Sequence, residues 1–255
     1  MERRGFAMRA FKDHFSSGSA AYAAHRPRYP AALAEFLADL APARDLALDC
    51  GCGTGQLSVL LAERFRHVLA TDASAAQIAE AEAHRCVEYR TAPAERSGLP
   101  DASADLVIVA QAAHWLDLPA FYTEVRRVAK PGAVLALITY GVLHVEGAAD
   151  SVVQRFYGEV IGPYWPPERR HVEDGYRALP FPFTEITAPP LAIEAALSLP
   201  DLLGYVATWS AVRAAERALG QDPLAALRAE LAQVWGEPET RRIVRWPLSL
   251  RVGRV

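Results

Sequence analysis

Three glycines that alternate with other residues are the feature that most constrains the fold of this chain, because a predicted strand precedes them and a predicted helix follows them. The loop reads DCGCGTG over residues 49–55, after an apolar run at residues 46–49 and before leucines at helical spacing. Glycine lets the backbone turn sharply and lets a ligand approach the main chain closely. A strand, a glycine loop and a helix in this order are typical of nucleotide-binding sheets, where N–H groups at the helix N-terminus face an anion. The alternative is an ordinary tight turn.

The spacing of the glycines narrows the choice of ligand. A dinucleotide fingerprint needs a glycine at its sixth position, which is Gln56 or Ser58 here, depending on the starting glycine. The long phosphate-binding loop with its lysine is also missing from the sequence. Asp72 follows the next apolar run, where a carboxylate can accept hydrogen bonds from both hydroxyls of an adenosine ribose. The alternative role of Asp72 is to cap the next helix, for which Ser74 is better placed.

Short apolar runs alternate with helical patterns through the first 140 residues. The runs cover residues 46–49, 68–71, 86–89, 106–110 and 134–138. Between them, apolar residues recur at the three- and four-residue spacing of amphipathic helices. The alternation predicts an α/β fold, in which helices cover both faces of a parallel sheet. Ser74 and Gln77 also predict a capping box for a helix over residues 75–83.

The pattern changes after residue 140, where aromatic residues and prolines become frequent. It predicts a helix within residues 152–160, one strand over 184–193, one helix over 201–219, another over 223–235 and a last strand over 243–252. We therefore predict a single domain over residues 1–255. Its parts are a covering segment (1–30), a nucleotide-binding core (31–140), a cap (141–182 and 198–240) and closing strands (183–195 and 242–253).

Composition excludes several classes of protein. The net charge of −3 argues against a general nucleic-acid binder. No run approaches the roughly 18 apolar residues of a membrane span, and residues 1–18 lack the apolar stretch of a signal peptide. The cysteines, Cys50, Cys52 and Cys86, lack the spacing of a zinc site. We predict reduced thiols, no metal and a cytoplasmic protein.

The glycine loop and three later segments resemble the successive motifs of class I S-adenosylmethionine-dependent methyltransferases, of the small-molecule type called type 11. These motifs are residues 46–55, Asp72, Ala94-Glu95 and Lys130-Pro131-Gly132. Four other segments are similar to the branch that contains fungal trans-aconitate methyltransferase and its bacterial relatives. They are residues 13–16 (DHFS), 22–30 (YAAHRPRYP), 111–115 (QAAHW) and 164–169 (YWPPER). The resemblance implies a Rossmann-like sheet of seven mostly parallel strands, with the last strand antiparallel and a helical cap.

The resemblance implies S-adenosylmethionine as the methyl donor, S-adenosylhomocysteine as the product, and no metal. In that family Asp49 and Gly51 correspond to residues along the methionine part, and Asp72 to the residue that holds the ribose. Gln111 corresponds to a position beside the methyl group. The implied cofactor residues are Asp49, Gly51, Gly53, Gly55, Asp72, Ala73, Ala94, Glu95, Gln111, Tyr22 and Arg26.

The implied cofactor site also includes a segment that covers the cofactor and the residues that flank the adenine. Tyr22 and Arg26 belong to the segment that folds over the cofactor, and the alternative is that Arg26 only pins this segment. Ala94 and Glu95 flank the adenine, but Pro93 stands where many relatives carry an aspartate that binds the adenine amino group. That contact is therefore missing or is made by Glu95 or by the backbone.

Candidate residues for the methyl acceptor follow the fourth apolar run and recur in the cap. His114 is the candidate general base, because its ordinary pKa lies near working pH; the alternative is a structural histidine bonded to the backbone. Arginine suits a carboxylate because it can bind both oxygens at once. The candidate substrate residues are Trp115, Tyr140, Trp165, Arg169, Tyr205 and Trp209. The alternative is that the arginines are solvated and the aromatic residues form the core of the cap.

The sequence therefore predicts an enzyme that transfers a methyl group to a small molecule, at a carboxylate or hydroxyl oxygen. Methylation of a carbon or nitrogen is one alternative. A non-catalytic protein that only binds S-adenosylmethionine is another, and the intact Asp49, Asp72 and residues 111–115 argue against it. We predict neither a nucleic-acid partner nor a membrane partner, and the oligomeric state stays open.

Overall fold

The computed structural model describes residues 28–255, and in them a nine-stranded sheet is covered by helices. The strands are β1 (Leu46–Cys50), β2 (His67–Asp72), β3 (Val87–Thr91), β4 (Ala104–Ala110), β5 (Ala129–Tyr140), β6 (His144–Val145), β7 (Thr184–Ile186), β8 (Ala192–Leu197) and β9 (Arg242–Arg254). The α-helices are α1 (Ala31–Leu40), α2 (Gln56–Ala62), α3 (Ala75–Ala79), α4 (Leu118–Val128), α5 (Ala149–Arg155), α6 (Arg169–Glu173), α7 (Leu199–Ala207), α8 (Ser210–Leu219) and α9 (Leu224–Trp235). A 3-10 turn covers Ala113–Trp115, and a π-helical turn covers Phe156–Val160.

Five parallel strands form the centre of the sheet, in the order β3-β2-β1-β4-β5. The last strand, β9, runs antiparallel to β5. The predicted α/β fold with an antiparallel last strand is therefore confirmed. Because parallel strands point their carboxyl ends to one edge, the loops that follow β1, β2 and β4 meet at that edge.

The predicted number of seven strands is wrong, because the described residues contain nine. Residues 184–193 do not form one strand, since Pro189 and Pro190 have no N–H group to continue a ladder. β7 pairs with residues 252–254 of β9, whereas β8 pairs with residues 242–247 at its other end. The two-residue β6 adds a further antiparallel pair with β9.

The predicted helix over residues 75–83 ends early, at Ala79, and its capping box is half formed. The hydroxyl of Ser74 accepts the N–H of Gln77 at 3.4 Å, so the cap is confirmed. The N–H of Ser74 donates to Oδ1 of Asp72 at 2.8 Å. The predicted second bond of the capping box, from this N–H to the Gln77 side chain, is therefore wrong. An ionised carboxylate is a stronger acceptor than a neutral amide.

The predicted helix over residues 201–219 is two helices, α7 and α8. The hydroxyl of Thr208 donates to the carbonyl of Tyr205 at 2.6 Å and ends α7. Trp209 then has extended backbone, with φ −64° and ψ 135°, before α8 begins. The next helix, α9, begins as predicted near Asp222, whose Oδ1 accepts the N–H of Leu224 at 2.9 Å.

Buried apolar side chains cover both faces of the sheet. One cluster packs α1, α2, α5 and the helices from α7 to α9 on one face, and the second cluster packs α4 and α6 on the other. In β4, Leu106 and Ile108 belong to the first cluster, whereas Val107 and Val109 belong to the second. A strand buried on both faces is continuously apolar, which explains the runs in the sequence. No helix within residues 28–255 is long and apolar enough to cross a membrane.

Candidate active site

The glycine loop after β1 is held at the carboxyl edge of the sheet. The N–H groups of Gly51 and Cys52 donate to the carbonyl of Thr71 at 2.7 and 3.0 Å. Gly51 has φ +68°, and a Cβ atom on it would lie 2.7 Å from Cβ of Ala112. Only glycine satisfies both the left-handed backbone and this close approach to the loop after β4.

Asp72 ends β2 and connects the glycine loop to the start of α3. Its Oδ2 accepts the N–H of Gly53 at 2.9 Å, and its Oδ1 accepts the N–H of Ser74 at 2.8 Å. A carboxylate has about four lone-pair sites, so each oxygen can accept one more hydrogen bond. Gly53 and Gly55 have φ +55° and +83°, conformations that glycine adopts without strain.

Gln111 follows β4 and bridges it to β5 at the same edge. Its Nε2 donates to the carbonyl of Tyr140 at 3.1 Å, and its Oε1 accepts the hydroxyl of Thr139 at 3.1 Å. Its backbone is left-handed, with φ +59°, although it is not glycine. Tyr140 itself is buried, with its ring centroid 6.2 Å from that of Tyr29.

His114 lies on the 3-10 turn after Gln111 and contacts two other rings. Its Nδ1 is 2.9 Å from the hydroxyl of Tyr176, and its ring centroid is 4.7 Å from that of Trp115. Burial above all, and then the nearby charges of His171 and Arg169, lower the pKa of His114 to about 4. The imidazole is therefore neutral at pH 7. Trp115, the next residue on the turn, is 37% exposed.

An aromatic cluster in the cap holds the guanidinium of Arg169. The rings of Tyr157, Trp165 and Trp209 have centroids 5.0, 5.6 and 5.9 Å apart. Nε of Arg169 donates to the hydroxyl of Tyr157 at 2.9 Å, and its Cζ lies 4.7 Å from the centroid of Trp165. Tyr157 in turn donates to Oε1 of Glu173 at 2.5 Å. The stacked ring and the hydroxyl together fix the plane of the guanidinium.

Tyr205, another candidate substrate residue, packs below this cluster. Its hydroxyl accepts Nε1 of Trp246 at 3.0 Å, and the two ring centroids are 5.3 Å apart. Its ring also lies 5.9 Å from that of Trp209. Tyr205 therefore supports the cluster from the core side, and its contact with a substrate stays a prediction.

Two of the cofactor residues predicted from the sequence, Tyr22 and Arg26, lie outside the described residues. Two residues that the structure places beside the candidates, Tyr157 and Thr139, were not predicted. Their partners lie on other elements, so no local spacing in the sequence indicates these contacts. Tyr176 belongs to the aromatic residues of the predicted cap, and the glycine before it marks a turn after α6.

Known methyltransferases are similar to this chain over most of its length. The family described as "Methyltransferase domain" matches residues 48–137. A putative methyltransferase of Dictyostelium discoideum is 36% identical over 229 residues, which are 88% of this chain and 87% of that protein. The chain belongs to the class I S-adenosylmethionine-dependent methyltransferases.

Two further methyltransferases differ in how much of this chain they match. The solved structure of a putative type II methyltransferase from Anaeromyxobacter dehalogenans is 54% identical, with a TM-score of 0.87, and the match covers 90% of this chain and 97% of that one. A malonyl-[acyl-carrier protein] O-methyltransferase of Serratia marcescens is 32% identical over 106 residues, 41% of this chain and 42% of that protein. The first match therefore includes most of the cap, and the second does not reach half of the chain.

The methionine and ribose ends of the methyltransferase site fit S-adenosylmethionine. Oε1 of Gln56, at the start of α2, is buried and has no hydrogen-bond partner among the described residues. An unpaired carbonyl oxygen there suits the ammonium group of the cofactor. The remaining acceptor sites of Asp72 suit the ribose hydroxyls. Asp49 is buried, and its Oδ2 accepts the hydroxyl of Ser58 at 2.6 Å.

At the adenine end of the methyltransferase site, one of the candidate side chains already holds a hydrogen bond within the protein. Ala94 is buried, and Ala73, next to Asp72, is exposed. Oε1 of Glu95 accepts the N–H of Asp117 at 2.9 Å, which uses one carboxylate oxygen at the start of α4. The roles of Ala73, Ala94 and Glu95 stay predictions, as does the substitute for the aspartate that Pro93 replaces.

The cysteines of the glycine loop are poor nucleophiles in this methyltransferase. Burial, and then the charge of Asp49, raise the pKa of the Cys50 and Cys52 thiols above the ordinary range. Both thiols are protonated at neutral pH, and a thiol reacts far more slowly than a thiolate. Across residues 28–255, no group of three or more His, Cys, Asp or Glu side chains converges as a metal site would.

His114 is expected to take up a proton only near pH 4, because burial disfavours its charged form. The unfolded chain binds this proton at about pH 6.5, so the folded state loses stability as the pH falls from there toward 4. An NMR titration of the histidine rings, with His114 assigned through a His114→Gln variant, measures this pKa. A midpoint above about pH 6 would contradict the environment described for His114.

Proposed function

We propose that this methyltransferase methylates an oxygen atom of a small acceptor that also carries an anionic group. The observation that carries the proposal is the guanidinium of Arg169, held in the aromatic cluster of the cap. No described residue accepts a hydrogen bond from its Nη1 or Nη2, because Nε alone contacts Tyr157 and the distance from Nε to Glu173 is 4.0 Å. A guanidinium whose plane is fixed and whose Nη1 and Nη2 groups are free to donate is suited to a carboxylate.

Other polar atoms near Arg169 support an acceptor site between the cap and the sheet. Nε1 of Trp165 and Nδ1 of His171 are buried, and neither has a hydrogen-bond partner among the described residues. The hydroxyl of Tyr176 lies 2.9 Å from Nδ1 of His114, so the cap contacts the loop after β4. The charges of Arg169 and His171 help to lower the pKa of His114. Buried polar atoms of this kind are normally paired, so they suit the polar groups of a bound acceptor.

The choice of oxygen over carbon or nitrogen has support from one relative. The Serratia marcescens protein is named an O-methyltransferase, although it matches less than half of this chain. An anionic acceptor also favours oxygen, because carboxylic acids and hydroxy acids present oxygen atoms as their nucleophiles. Methylation at carbon or nitrogen, and binding without catalysis, are the alternatives that an assay has to separate.

When bound, S-adenosylmethionine supplies a methyl group already activated by the positive charge on sulfur. The chain's own residues then have to align the acceptor, exclude water and, for a hydroxyl, receive a proton. Arg169 orients the anionic group, while Trp165 and Trp209 shield it from water. His114, neutral at pH 7, hydrogen-bonds the reacting oxygen. A carboxylate nucleophile is already ionised and needs no base.

The proposal is tested by measuring S-adenosylhomocysteine release with a panel of di- and tricarboxylic acids, hydroxy acids and amines. Turnover confined to acids, with the methyl group located on oxygen by mass spectrometry and NMR, is the expected result. Turnover only with amines, or at carbon, would contradict the acceptor class. Tight binding of S-adenosylhomocysteine with no turnover across the panel would favour the non-catalytic alternative.

Replacing Arg169 by methionine is expected to raise KM for anionic acceptors about 100-fold, because two charge-assisted hydrogen bonds are lost. Arg169→Lys should recover part of this loss, since lysine keeps the charge but not the planar fork. Arg170→Met is the matched control, because Arg170 is the exposed neighbour. Equal KM values for Arg169→Met and Arg170→Met would exclude Arg169 as the anchor.

A further inference from the structure

The phenol of Tyr157 lies between the guanidinium of Arg169 and the carboxylate of Glu173 in the cap. Nε of Arg169 donates to the phenol oxygen at 2.9 Å, and the phenol donates to Oε1 of Glu173 at 2.5 Å. We propose that Tyr157 is a positioning residue that keeps Glu173 from pairing with Arg169 and so leaves the guanidinium open to an anionic acceptor. This inference rests on the proposed function and deepens it, because it names what decides whether the anion site is open.

Arg169 and Glu173 are the first and last residues of α6, four positions apart. Side chains at this spacing lie on the same face of a helix, where opposite charges commonly pair. Here Nε of Arg169 lies 4.0 Å from Oε1 of Glu173, which is too long for a hydrogen bond. The two charged groups are therefore held apart, and each of them is hydrogen-bonded to the phenol of Tyr157 instead.

The direction of both hydrogen bonds follows from the chemistry of the groups. Guanidinium nitrogens can only donate, so the phenol oxygen accepts from Nε of Arg169. An ionised carboxylate can only accept, so the phenol proton is donated to Glu173. Tyr157 thus gives each charged group one hydrogen bond, and Nε is the only nitrogen of Arg169 that it uses. Nη1 and Nη2 are left for a ligand.

Packing holds the phenol ring in this place. Tyr157 is buried, and its ring centroid lies 5.0 Å from that of Trp165 and 5.6 Å from that of Trp209. The side chain of Arg169 is 22% exposed, whereas that of Glu173 is 42% exposed. The ring and the guanidinium are therefore the fixed members of the bridge. Glu173 lies at the surface, where its side chain has room to move toward Arg169.

The backbone around Tyr157 departs from a regular α-helix. Residues Phe156–Val160 form a π-helical turn, in which the N–H of Ile161 donates to the carbonyl of Phe156 at 3.0 Å. Turns with this five-residue hydrogen bond are rare and are frequent at functional sites. The turn therefore supports a functional reason for the position of Tyr157.

Loss of the phenol oxygen changes what Arg169 binds. In Tyr157→Phe the ring remains, but Nε of Arg169 loses its acceptor, and a largely buried donor without a partner is unfavourable. The carboxylate of Glu173 is 4.0 Å away, and a movement of about 1 Å brings it into a charge-assisted hydrogen bond. The charge of the guanidinium is then neutralised within the cap. Glu173 thereby competes with the acceptor for Arg169.

Crystal structures of the free wild-type and Tyr157→Phe proteins test the inference without an acceptor. In the variant we expect a direct hydrogen bond of about 2.9 Å between the guanidinium of Arg169 and the carboxylate of Glu173. A separation that stays near 4.0 Å in the variant would overturn the proposal. These structures need no substrate, so failure to find an acid that is methylated would count against the proposed function and leave this result standing.

Kinetics with an acid that the panel shows to be methylated give the second readout. Tyr157→Phe is expected to raise KM for this acid about 10-fold with little change in kcat, because a charge-assisted hydrogen bond to Glu173 now competes with the acid. Adding Glu173→Ala to Tyr157→Phe should restore most of the lost affinity, since the competing carboxylate is gone. A purely structural role of Tyr157 would not allow this recovery.

Two further variants serve as controls for the recovery. Glu173→Ala alone should change KM little, because the phenol already keeps the two charged groups apart. Glu159→Ala removes another exposed carboxylate of the cap and should not restore KM in the Tyr157→Phe protein. Equal KM values for Tyr157→Phe with and without Glu173→Ala would exclude Glu173 as the competitor. A wild-type KM in Tyr157→Phe would contradict the inference while leaving O-methylation of an acid supported.

Discussion

Replacing Gly51 by alanine is expected to lower the free energy of unfolding by about 3 kcal/mol, through strain in the left-handed backbone and overpacking. Its φ is +68°, and the added Cβ atom would meet Cβ of Ala112 at 2.7 Å. Neither atom is the end of a flexible side chain, so the glycine loop or the loop after β4 has to move. A shift of roughly 1 Å at a reacting centre can reduce a rate about 100-fold, so methyl transfer should fall by that order.

Gly132→Ala is the matched control for this change. Gly132 also has a left-handed backbone, with φ +77°, but a Cβ atom there would meet nothing within 4 Å. The loss of stability should therefore be limited to about 1 kcal/mol of backbone strain, with normal binding of S-adenosylhomocysteine. Denaturant unfolding and calorimetry measure both effects. Equal stability and equal cofactor affinity in the two variants would show that the approach of Gly51 to Ala112 is unimportant.

Asp72→Ala is expected to weaken binding of S-adenosylhomocysteine about 100-fold, since two hydrogen bonds from ribose hydroxyls to a charged group are lost. The same change frees the N–H groups of Gly53 and Ser74, which the carboxylate holds at 2.9 and 2.8 Å. The glycine loop should therefore become less rigid as well. Calorimetric titration of S-adenosylhomocysteine into both proteins measures the loss of affinity.

A cofactor analogue separates the two roles of Asp72. The wild-type protein should lose affinity for an S-adenosylhomocysteine that lacks both ribose hydroxyls, whereas Asp72→Ala should bind the two compounds equally. Asp101→Ala serves as the control for loss of an acidic residue, because the Asp101 side chain is 80% exposed and pairs with Arg127. If Asp72→Ala still discriminates between the compounds, the ribose assignment is wrong and Asp72 only holds the loop.

The sheet could be predicted from the sequence wherever a strand is buried on both faces. The apolar runs of β1, β2, β4 and β5 are continuous because helices cover both sides of them. Prediction failed in the closing region for a different reason. One long strand, β9, pairs with β5 to β8, and which part of it each partner meets depends on packing. The break at Pro189 and Pro190 is visible in the sequence, but the parts of β9 that pair with the strands on either side of it are not.

The cofactor half of the candidate site could be predicted from the sequence, whereas the contacts of the acceptor half could not. The cofactor half is contiguous, because a strand, a glycine loop and a helix follow one another within residues 46–62. Asp72 joins it through the next strand, whose place beside β1 follows from the alternation of elements. The acceptor half brings together residues from the loop after β4, from β5 and from the cap. His114 and Tyr176, for example, are 62 positions apart.

The sequence by itself determined the α/β fold, the glycine loop with Asp72 after the next strand, and hence the family and its methyl donor. These features are local, since they depend on the order of elements and on the backbone freedom of glycine. Only the tertiary structure decided that the guanidinium of Arg169 lies within an aromatic cluster and that His114 is hydrogen-bonded to Tyr176. Such contacts depend on how the cap packs on the sheet, and no spacing in the sequence encodes them.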